Sequence, residues 1–224
     1  MGKIELTAAD GHRLGAYRAD PKGARRGGIV VVQEIFGVNS HIRSICDRLA
    51  AEGYAAVAPA IFDRFAREFE TGYTPENVEH AKTLIPKFDM GNCLLDVAAA
   101  RDVLAGTGKV GIVGFCLGGS VAFAAATRLD GFSAASSFYG GMANRFAGET
   151  ARCPVQFHYG ADDSGIPPEN YNEVKAKQPQ AEFYVYDNAG HGFHCDQRGS
   201  YAPVASTLAW QRTLDFFARN VTGA

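Results

Sequence analysis

The sequence predicts an α/β fold in which helices form layers on both faces of a mostly parallel central sheet. Three observations support this three-layer α/β/α arrangement. Residues 28–34 are a nearly continuous apolar run, which is typical of a strand buried on both faces of a parallel sheet. Strand-like and helix-like segments alternate after it. A chain of 224 residues, 46% of them hydrophobic, suits one domain, so residues 1–224 are predicted to form a single domain.

Turn residues and apolar periodicity predict the individual elements. Asp10-Gly11 is a typical hairpin turn between two short strands. Ser40 is predicted to cap a helix whose apolar residues recur at helical spacing, and Gly53 to end that helix. The other predictions are strands at 3–6, 12–18, 54–58, 109–113, 132–138, 154–159 and 182–186, and helices at 94–104, 119–129, 168–177 and 200–220.

Residues 62–88 interrupt the regular alternation of strands and helices. Residues 62–74 are polar and aromatic, and a helical segment is predicted at about 75–88. Long irregular connections in compact domains often carry functional residues. We therefore interpret residues 62–88 as a cap or loop region over the functional site.

Charge and composition exclude several classes of partner. The chain has 22 Lys and Arg against 24 Asp and Glu, so no basic surface is expected to bind nucleic acid or an anionic membrane. Neither a signal peptide nor a membrane span of about 18 apolar residues is apparent. The five cysteines are irregularly spaced and form no CxxC pair, which argues against a disulfide framework and a zinc site. These features predict a cytoplasmic protein with reduced thiols and no bound metal.

The most specific motif is residues 114–119, Gly-Phe-Cys-Leu-Gly-Gly, between a predicted strand and a predicted Ala-rich helix. It has the pattern Gly-x-nucleophile-x-Gly, in which a strained turn exposes the nucleophile and requires small neighbours. The same turn places Cys116 at a helix N-terminus, which favours a thiolate, and directs the Leu117 amide towards a developing oxyanion. The alternative is a buried cysteine with a packing role only.

A second glycine-rich motif indicates a different class of protein. Residues 106–111 match the pattern G-x-G-x-x-G of dinucleotide-binding proteins. That fingerprint must follow a strand and open a helix, whereas this match precedes the predicted strand at 109–113. We therefore interpret the match as coincidental, and no nucleotide cofactor is predicted.

An acid and a histidine follow Cys116 in the chain order that an α/β fold with this motif requires. Asp162 and Asp163 follow the predicted strand 154–159, and His191 follows the predicted strand 182–186 between two glycines. His191 is expected to act as the base and one of the two aspartates to orient it. The alternative for each aspartate is a turn residue that caps the next helix. The other histidines, including His194, lack a metal-like spacing.

Glu34 is the other candidate for a role in catalysis. It ends the most apolar predicted strand, and the carboxyl ends of strands form the active edge of open α/β sheets. A carboxylate there could control the proton of the Cys116 thiol, and the adjacent Ile35 amide could be a second oxyanion donor. The alternative is a solvated strand end before the Gly37 turn.

The sequence resembles the dienelactone hydrolase family of α/β-hydrolases, also called carboxymethylenebutenolidases, over nearly its whole length. The resemblance rests on residues 33–39 (QEIFGVN), 88–90 (FDM), 111–119 (GIVGFCLGG), 138–140 (FYG), Asp163 with Ile166-Pro167, 190–193 (GHGF) and 212–216 (RTLDF). It implies an α/β-hydrolase fold and a Cys116–His191–Asp163 triad, so it selects Asp163 over Asp162. It also implies that Glu34 interacts with Cys116 in the resting enzyme and that the Leu117 and Ile35 amides form the oxyanion hole.

The resemblance also implies substrate-binding residues, and here the chain departs from the best-known members. Their substrate-binding arginine and tyrosine before Phe-Asp-Met are replaced by Val78 and Lys82, and a further arginine is replaced by Cys195. The substrate-binding candidates are Lys82, Phe36, Tyr139 and Phe193. A positive charge for a substrate carboxylate could come from Lys82, Arg64, Arg67, His194 or Arg198.

These features together predict a cofactor-independent hydrolase that cleaves a small lactone or ester through an acyl group on Cys116. A monomer or a small homo-oligomer is expected. The alternative is a non-catalytic thiol sensor or small-ligand binder that uses an ionisable Cys116 on the same scaffold.

Overall fold

The computed structural model describes residues 1–222, and within them eight strands form one sheet. The strands are β1 (Gly2–Thr7), β2 (Arg13–Ala19), β3 (Gly27–Val32), β4 (Tyr54–Pro59), β5 (Val110–Phe115), β6 (Ala134–Phe138), β7 (Val155–Gly160) and β8 (Glu182–Tyr186). The α-helices are α1 (Ser40–Ala51), α2 (Pro75–Lys82), α3 (Met90–Asp102), α4 (Leu117–Arg128), α5 (Pro168–Lys177) and α6 (Pro203–Asn220). No helix of this part of the chain has the length and apolar character to cross a membrane.

The sheet is mostly parallel, as predicted. Its order is β1-β2-β4-β3-β5-β6-β7-β8, and antiparallel pairing is confined to β1 with β2 and β2 with β4. Every residue of β3, β4, β5, β6 and β7 is buried. Burial on both faces explains why β3, β4 and β5 are apolar without alternation, whereas β6 and β7 also bury polar side chains, namely Ser136, Ser137, Gln156 and His158. Because β3, β5, β6 and β7 run parallel, the loops after them meet at one edge of the sheet.

Helices cover the sheet in two layers. Helices α3 and α4 contact each other, and α4 packs on β5 and β6. Helices α1 and α6 meet where the Arg48 guanidinium stacks 4.1 Å over the Trp210 ring, and α6 packs on β6 and β7. The predicted α/β/α fold is confirmed.

Several predicted boundaries differ from the structure by a few residues. Asn39, rather than Ser40, caps α1, because its side-chain oxygen accepts a hydrogen bond from the Ile42 N–H at 3.3 Å. Ser40 Oγ instead bonds to the Gln197 side chain at 2.7 Å. Helix α3 begins four residues earlier than predicted because Asp89 caps it. Gly53 follows α1 with φ of 92°, in agreement with its predicted role as the helix-ending residue.

The connection at 62–88 packs on the sheet through its aromatic residues and reaches the carboxyl edge of β3. Phe62 contacts Phe65 and Phe69, with ring centroids 4.9 and 6.1 Å apart. The Asp63 carboxylate accepts backbone N–H bonds from Gly15 and Glu68, each at 2.7 Å, and so fixes the start of the segment. That the segment acts as a cap remains a prediction.

Candidate active site

Cys116 occupies a strained turn between β5 and α4. Its φ of 55° and ψ of −114° lie outside the backbone conformations that non-glycine residues ordinarily adopt. Such strain persists only where the surroundings impose it, and it is frequent at functional sites. Strand β5 ends at the edge of the sheet with Phe115, and α4 begins with Leu117, so Cys116 lies at the turn between them.

The glycines of the motif are required by close backbone approaches. A Cβ atom on Gly114 would lie 1.8 Å from the Gly118 carbonyl oxygen, and one on Gly118 would lie 2.3 Å from the Val32 oxygen. A Cβ on Gly119 would lie 2.4 Å from the Phe138 oxygen. These contacts bring the turn directly against the ends of β3 and β6.

Cys116, His191 and Asp163 form a continuous chain of hydrogen bonds. Cys116 Sγ lies 3.1 Å from His191 Nε2, and His191 Nδ1 lies 2.7 Å from Asp163 Oδ2. The second oxygen of Asp163 accepts the Gly165 N–H at 2.9 Å, which fixes the carboxylate. Asp163 is buried whereas Asp162 is exposed. The structure therefore brings Asp163, and not Asp162, to the histidine.

His191 has a strongly raised pKa. Burial alone would lower it, but the Cys116 sulfur on one side and the hydrogen-bonded Asp163 carboxylate on the other raise the pKa of His191 to about 10. An imidazole between a thiol and a carboxylate can therefore hold its proton at neutral pH.

Glu34 does not bond to Cys116, in contrast to the implication of the resemblance. Its Oε1 pairs with Arg198 Nη1 at 3.0 Å, and its Oε2 accepts a hydrogen bond from the Tyr73 hydroxyl at 2.9 Å. A fully buried carboxylate needs a counter-charge and hydrogen-bond donors. The guanidinium and the phenol supply both, whereas a thiol would supply only one weak donor.

Arg198 reaches Glu34 through space that a glycine leaves open. Gly192 has φ of 76°, and a Cβ atom there would lie 2.5 Å from Arg198 Nη1. The guanidinium lies 5.6 Å from the ring centroids of Phe36 and of Tyr73. Burial lowers the pKa of Arg198, but Glu34 and other nearby groups raise it by more. The net pKa therefore lies above its ordinary value, and the guanidinium stays charged.

The four expected substrate-binding residues are not equally placed. Phe36, Tyr139 and Phe193 are almost completely buried. Tyr139 packs edge-on against His191 with ring centroids 5.2 Å apart, and Phe193 packs on Tyr139, so both support the imidazole. Lys82 is exposed on α2 and pairs with Glu79 at 2.7 Å, and the structure does not connect it to Cys116 or Glu34.

Among the five cationic candidates, Arg198 is the one that the fold places at the site. Arg64 is held between Asp10 and Asp96, and Arg67 donates to the Arg13 carbonyl oxygen at 3.1 Å. His194 is buried, with Nδ1 2.9 Å from Ser206 Oγ, and burial holds its pKa well below the usual value.

Sequence reasoning missed two features of the site. Tyr73 lies in the irregular connection, and no motif indicated its bond to Glu34. A second group of donors comprises Glu34, His41 and Cys195, whose candidate ligand atoms all lie within 4.8 Å of one another. Their separation in the chain gave no metal-like spacing, so only the fold reveals this group.

A mostly parallel sheet covered on both faces, with a strained turn after a central strand and a histidine and an acid on later loops, is the arrangement of an α/β-hydrolase. The family model of the dienelactone hydrolase family matches residues 14–221. The chain belongs to the dienelactone hydrolase family.

Sequence and structural relatives agree with this assignment. The carboxymethylenebutenolidases of Pseudomonas putida and of Pseudomonas knackmussii are each 35% identical over 228 residues, which cover 96% of this chain and 95% of the relative. A crystal structure from Klebsiella pneumoniae, described as that of a putative dienelactone hydrolase, superposes on this chain with a TM-score of 0.85 at 31% identity. The match covers 98% of this chain and 100% of the other. A dienelactone hydrolase structure from Anabaena variabilis, at 18% identity, covers 97% of this chain and 96% of its own and shares the fold with a TM-score of 0.72. Membership of this hydrolase family is thus supported by both sequence and fold.

Proposed function

We propose that the chain hydrolyses a small ester or lactone through an acyl-enzyme on Cys116, without a cofactor. The observation that carries the proposal is the hydrogen-bonded chain from Cys116 Sγ through His191 to Asp163 Oδ2. A nucleophile, a base and a group that orients the base are the three parts that covalent acyl transfer needs. The family assignment supports the same class of reaction.

The first step is attack by the sulfur. The Cys116 S–H bond breaks and its proton passes to His191, whose raised pKa favours the imidazolium, so that the sulfur reacts as a thiolate. The thiolate attacks the carbonyl carbon, a C–S bond forms, and the carbonyl π electrons move onto oxygen. Asp163 keeps Nδ1 of the ring protonated, so that Nε2 faces the sulfur.

We propose that two backbone amides, those of Leu117 and Ile35, stabilise the oxyanion. Leu117 is the first residue of α4, and the first N–H groups of a helix have no partner within it. The Ile35 N–H donates no hydrogen bond within residues 1–222, and Gly118 packs against the strand that leads to Ile35. Removing one such donor elsewhere costs roughly 10²–10³-fold in rate, so the pair supplies a large share of the rate enhancement.

The tetrahedral intermediate then collapses. Its C–O bond to the alcohol breaks, and His191 gives its proton to the leaving oxygen, which leaves an acyl thioester on Cys116 and a neutral imidazole. That imidazole takes a proton from water as the water oxygen attacks the thioester carbon. The C–S bond breaks, the acid product leaves, and the thiolate–imidazolium pair of Cys116 and His191 is restored.

Substitution of the sulfur tests the proposal. Cys116→Ala should lower hydrolysis of activated esters by roughly 10³-fold or more while the melting temperature stays near that of the wild type. Cys153→Ser is the matched control, because Cys153 is a free cysteine before β7, at the opposite edge of the sheet. A panel of lactones, thioesters and esters, with and without a carboxylate, would identify the substrate class. Retained turnover in Cys116→Ala would contradict the mechanism.

A further inference from the structure

Three side chains that could ligate a metal ion lie near the proposed catalytic residues. They have no role in the hydrolysis described above. Glu34, His41 and Cys195 each present one ligand atom, all within 4.8 Å of one another, and all three side chains are buried. They come from the segment just after β3, the first turn of α1 and the loop that follows His191. We propose that this group, termed the Glu34–His41–Cys195 site, binds a thiophilic divalent cation such as Zn²⁺.

The donor types fit such an ion. Zn²⁺ binds thiolate sulfur at about 2.3 Å and imidazole nitrogen and carboxylate oxygen at about 2.0–2.2 Å. Three protein ligands with a fourth position for water is a recurrent arrangement. Ligand atoms on a tetrahedral ion lie nearer to one another than 4.8 Å, so binding draws the three side chains together by roughly 1 Å.

His41 provides a second, independent indication of a ligand. It is only 2% exposed, and its Nε2 atom is buried without a hydrogen-bond partner among the described residues. Buried polar groups are nearly always paired, and an unpaired one calls for an explanation such as an ion or a water. An ion bound by His41 Nε2 would give this buried nitrogen a partner.

All three candidate ligands are buried, so an ion can reach them only if the segment over the site opens. The exposed Asp196 carboxylate lies 3.9 Å from His41 Nδ1 and follows Cys195 directly in the chain. The loop over the site is held by turn bonds such as Arg198 N–H to the Cys195 carbonyl oxygen, at 3.1 Å. We expect an ion to enter by local opening of residues 195–198.

Binding of the ion changes both the protonation and the net charge of the site. The Cys195 S–H bond breaks, its proton passes to solvent, and a sulfur–metal bond forms, so one proton is released per ion. With Arg198 still charged beside Glu34, the Glu34 carboxylate, the Cys195 thiolate and the divalent ion leave one net positive charge at the site. Arg198 and Tyr73 already bond to Glu34, so the cation competes with these donors for the carboxylate.

Cobalt spectroscopy tests the site without any need for hydrolytic activity. Co²⁺ is titrated into Cys116→Ala, a background that removes the sulfur of the hydrolytic site and any signal from it. We expect a thiolate-to-Co²⁺ charge-transfer band, one Co²⁺ per chain by equilibrium dialysis, and displacement of the band by Zn²⁺. This readout is independent of ester turnover, so a failure of the proposed hydrolysis would leave it interpretable.

Matched variants assign the ligands. In the same background, Cys195→Ser should abolish the band, His41→Asn should weaken Co²⁺ binding at least tenfold, and Cys153→Ser should leave both unchanged. Thermal unfolding of each variant before titration separates a lost ligand from a lost fold. The absence of a band in folded Cys116→Ala, or a band that survives Cys195→Ser, would overturn the proposal.

Discussion

Arg198 and Glu34 are 164 residues apart in the chain, yet Arg198 Nη1 lies 3.0 Å from Glu34 Oε1 in a partly buried ion pair. The pair ties the loop after His191 to the end of β3, the two segments that carry the proposed base and the proposed Ile35 oxyanion donor. It also neutralises a carboxylate that has almost no exposed surface. The pair therefore has both a structural and an electrostatic role beside Cys116.

Breaking this ion pair from one side should be costly. Arg198→Gln leaves the Glu34 carboxylate buried without its counter-charge, which is expected to lower the free energy of unfolding by about 3 kcal/mol. Removing both charges in Arg198→Gln with Glu34→Gln should cost less than the sum of the single substitutions. Urea denaturation of the four proteins measures the coupling, and purely additive effects would contradict a direct interaction.

Gly192 should not tolerate a side chain. Its φ of 76° disfavours any other residue, and a Cβ atom would collide with the Arg198 guanidinium at 2.5 Å. Gly192→Ala is expected to lower the free energy of unfolding by about 1–3 kcal/mol and to reduce ester hydrolysis. Gly199→Ala is the matched control, since nothing lies within 4 Å of a Cβ atom there. Equal stabilities of the two variants would refute the packing argument.

The raised pKa of His191 should be visible by NMR. The imidazole signals of the wild type are expected to titrate near pH 10, because Cys116 and Asp163 favour the charged ring. In Cys116→Ala the pKa should fall towards 6.5, since the larger of the favourable charges is removed. A pKa of His191 that is the same in the two proteins would show that the sulfur carries no charge in the resting state.

The same pKa predicts how stability depends on pH. The folded-state pKa of His191, about 10, is above its ordinary value of 6.5, so the folded protein binds this proton more tightly than the unfolded chain. The resulting stabilisation is complete below pH 6.5 and is lost as the pH rises through about 10. Thermal unfolding between pH 6 and pH 10.5 should show a smaller loss in Cys116→Ala than in the wild type.

Asp163 should matter for rate more than for binding. Asp163→Asn keeps the shape of the side chain but can leave His191 in the wrong tautomer, so kcat is expected to fall by roughly 10³–10⁴-fold with a smaller change in KM. Asp162→Asn serves as the control, because Asp162 is exposed and does not bond to His191 in this structure. Similar rates for the two variants would show that Asp163 does not orient His191.

Much of the architecture could be predicted because its cause is local. The buried strands read as apolar runs, and the glycines around Cys116 indicated a turn with no room for side chains. Chain order then placed Asp163 and His191 after later parallel strands, and the structure brings both to the same sheet edge as Cys116. Parallel pairing converts sequence order into spatial proximity, which is why these residues were accessible to sequence reasoning.

The partners of Glu34 were not predictable in the same way. Arg198 was one of five cationic candidates, and its selection depends on the path of residues 192–198, which no periodicity specifies. Tyr73 lies in the irregular connection at 62–88, whose path no periodicity specifies either, so its bond to Glu34 could not be predicted. The cap of α1 was assigned to Ser40 although Asn39 performs it, because two adjacent residues are both good capping residues and only the backbone decides between them.

The most direct test of the account is the mass of the protein after a brief pulse of activated ester and rapid acid quench. The proposed acyl-enzyme mechanism predicts a transient acyl adduct on the peptide that contains Cys116, absent from Cys116→Ala and slow to decay in Asp163→Asn. Turnover of the ester with no adduct on Cys116, or an adduct on another residue, would contradict it.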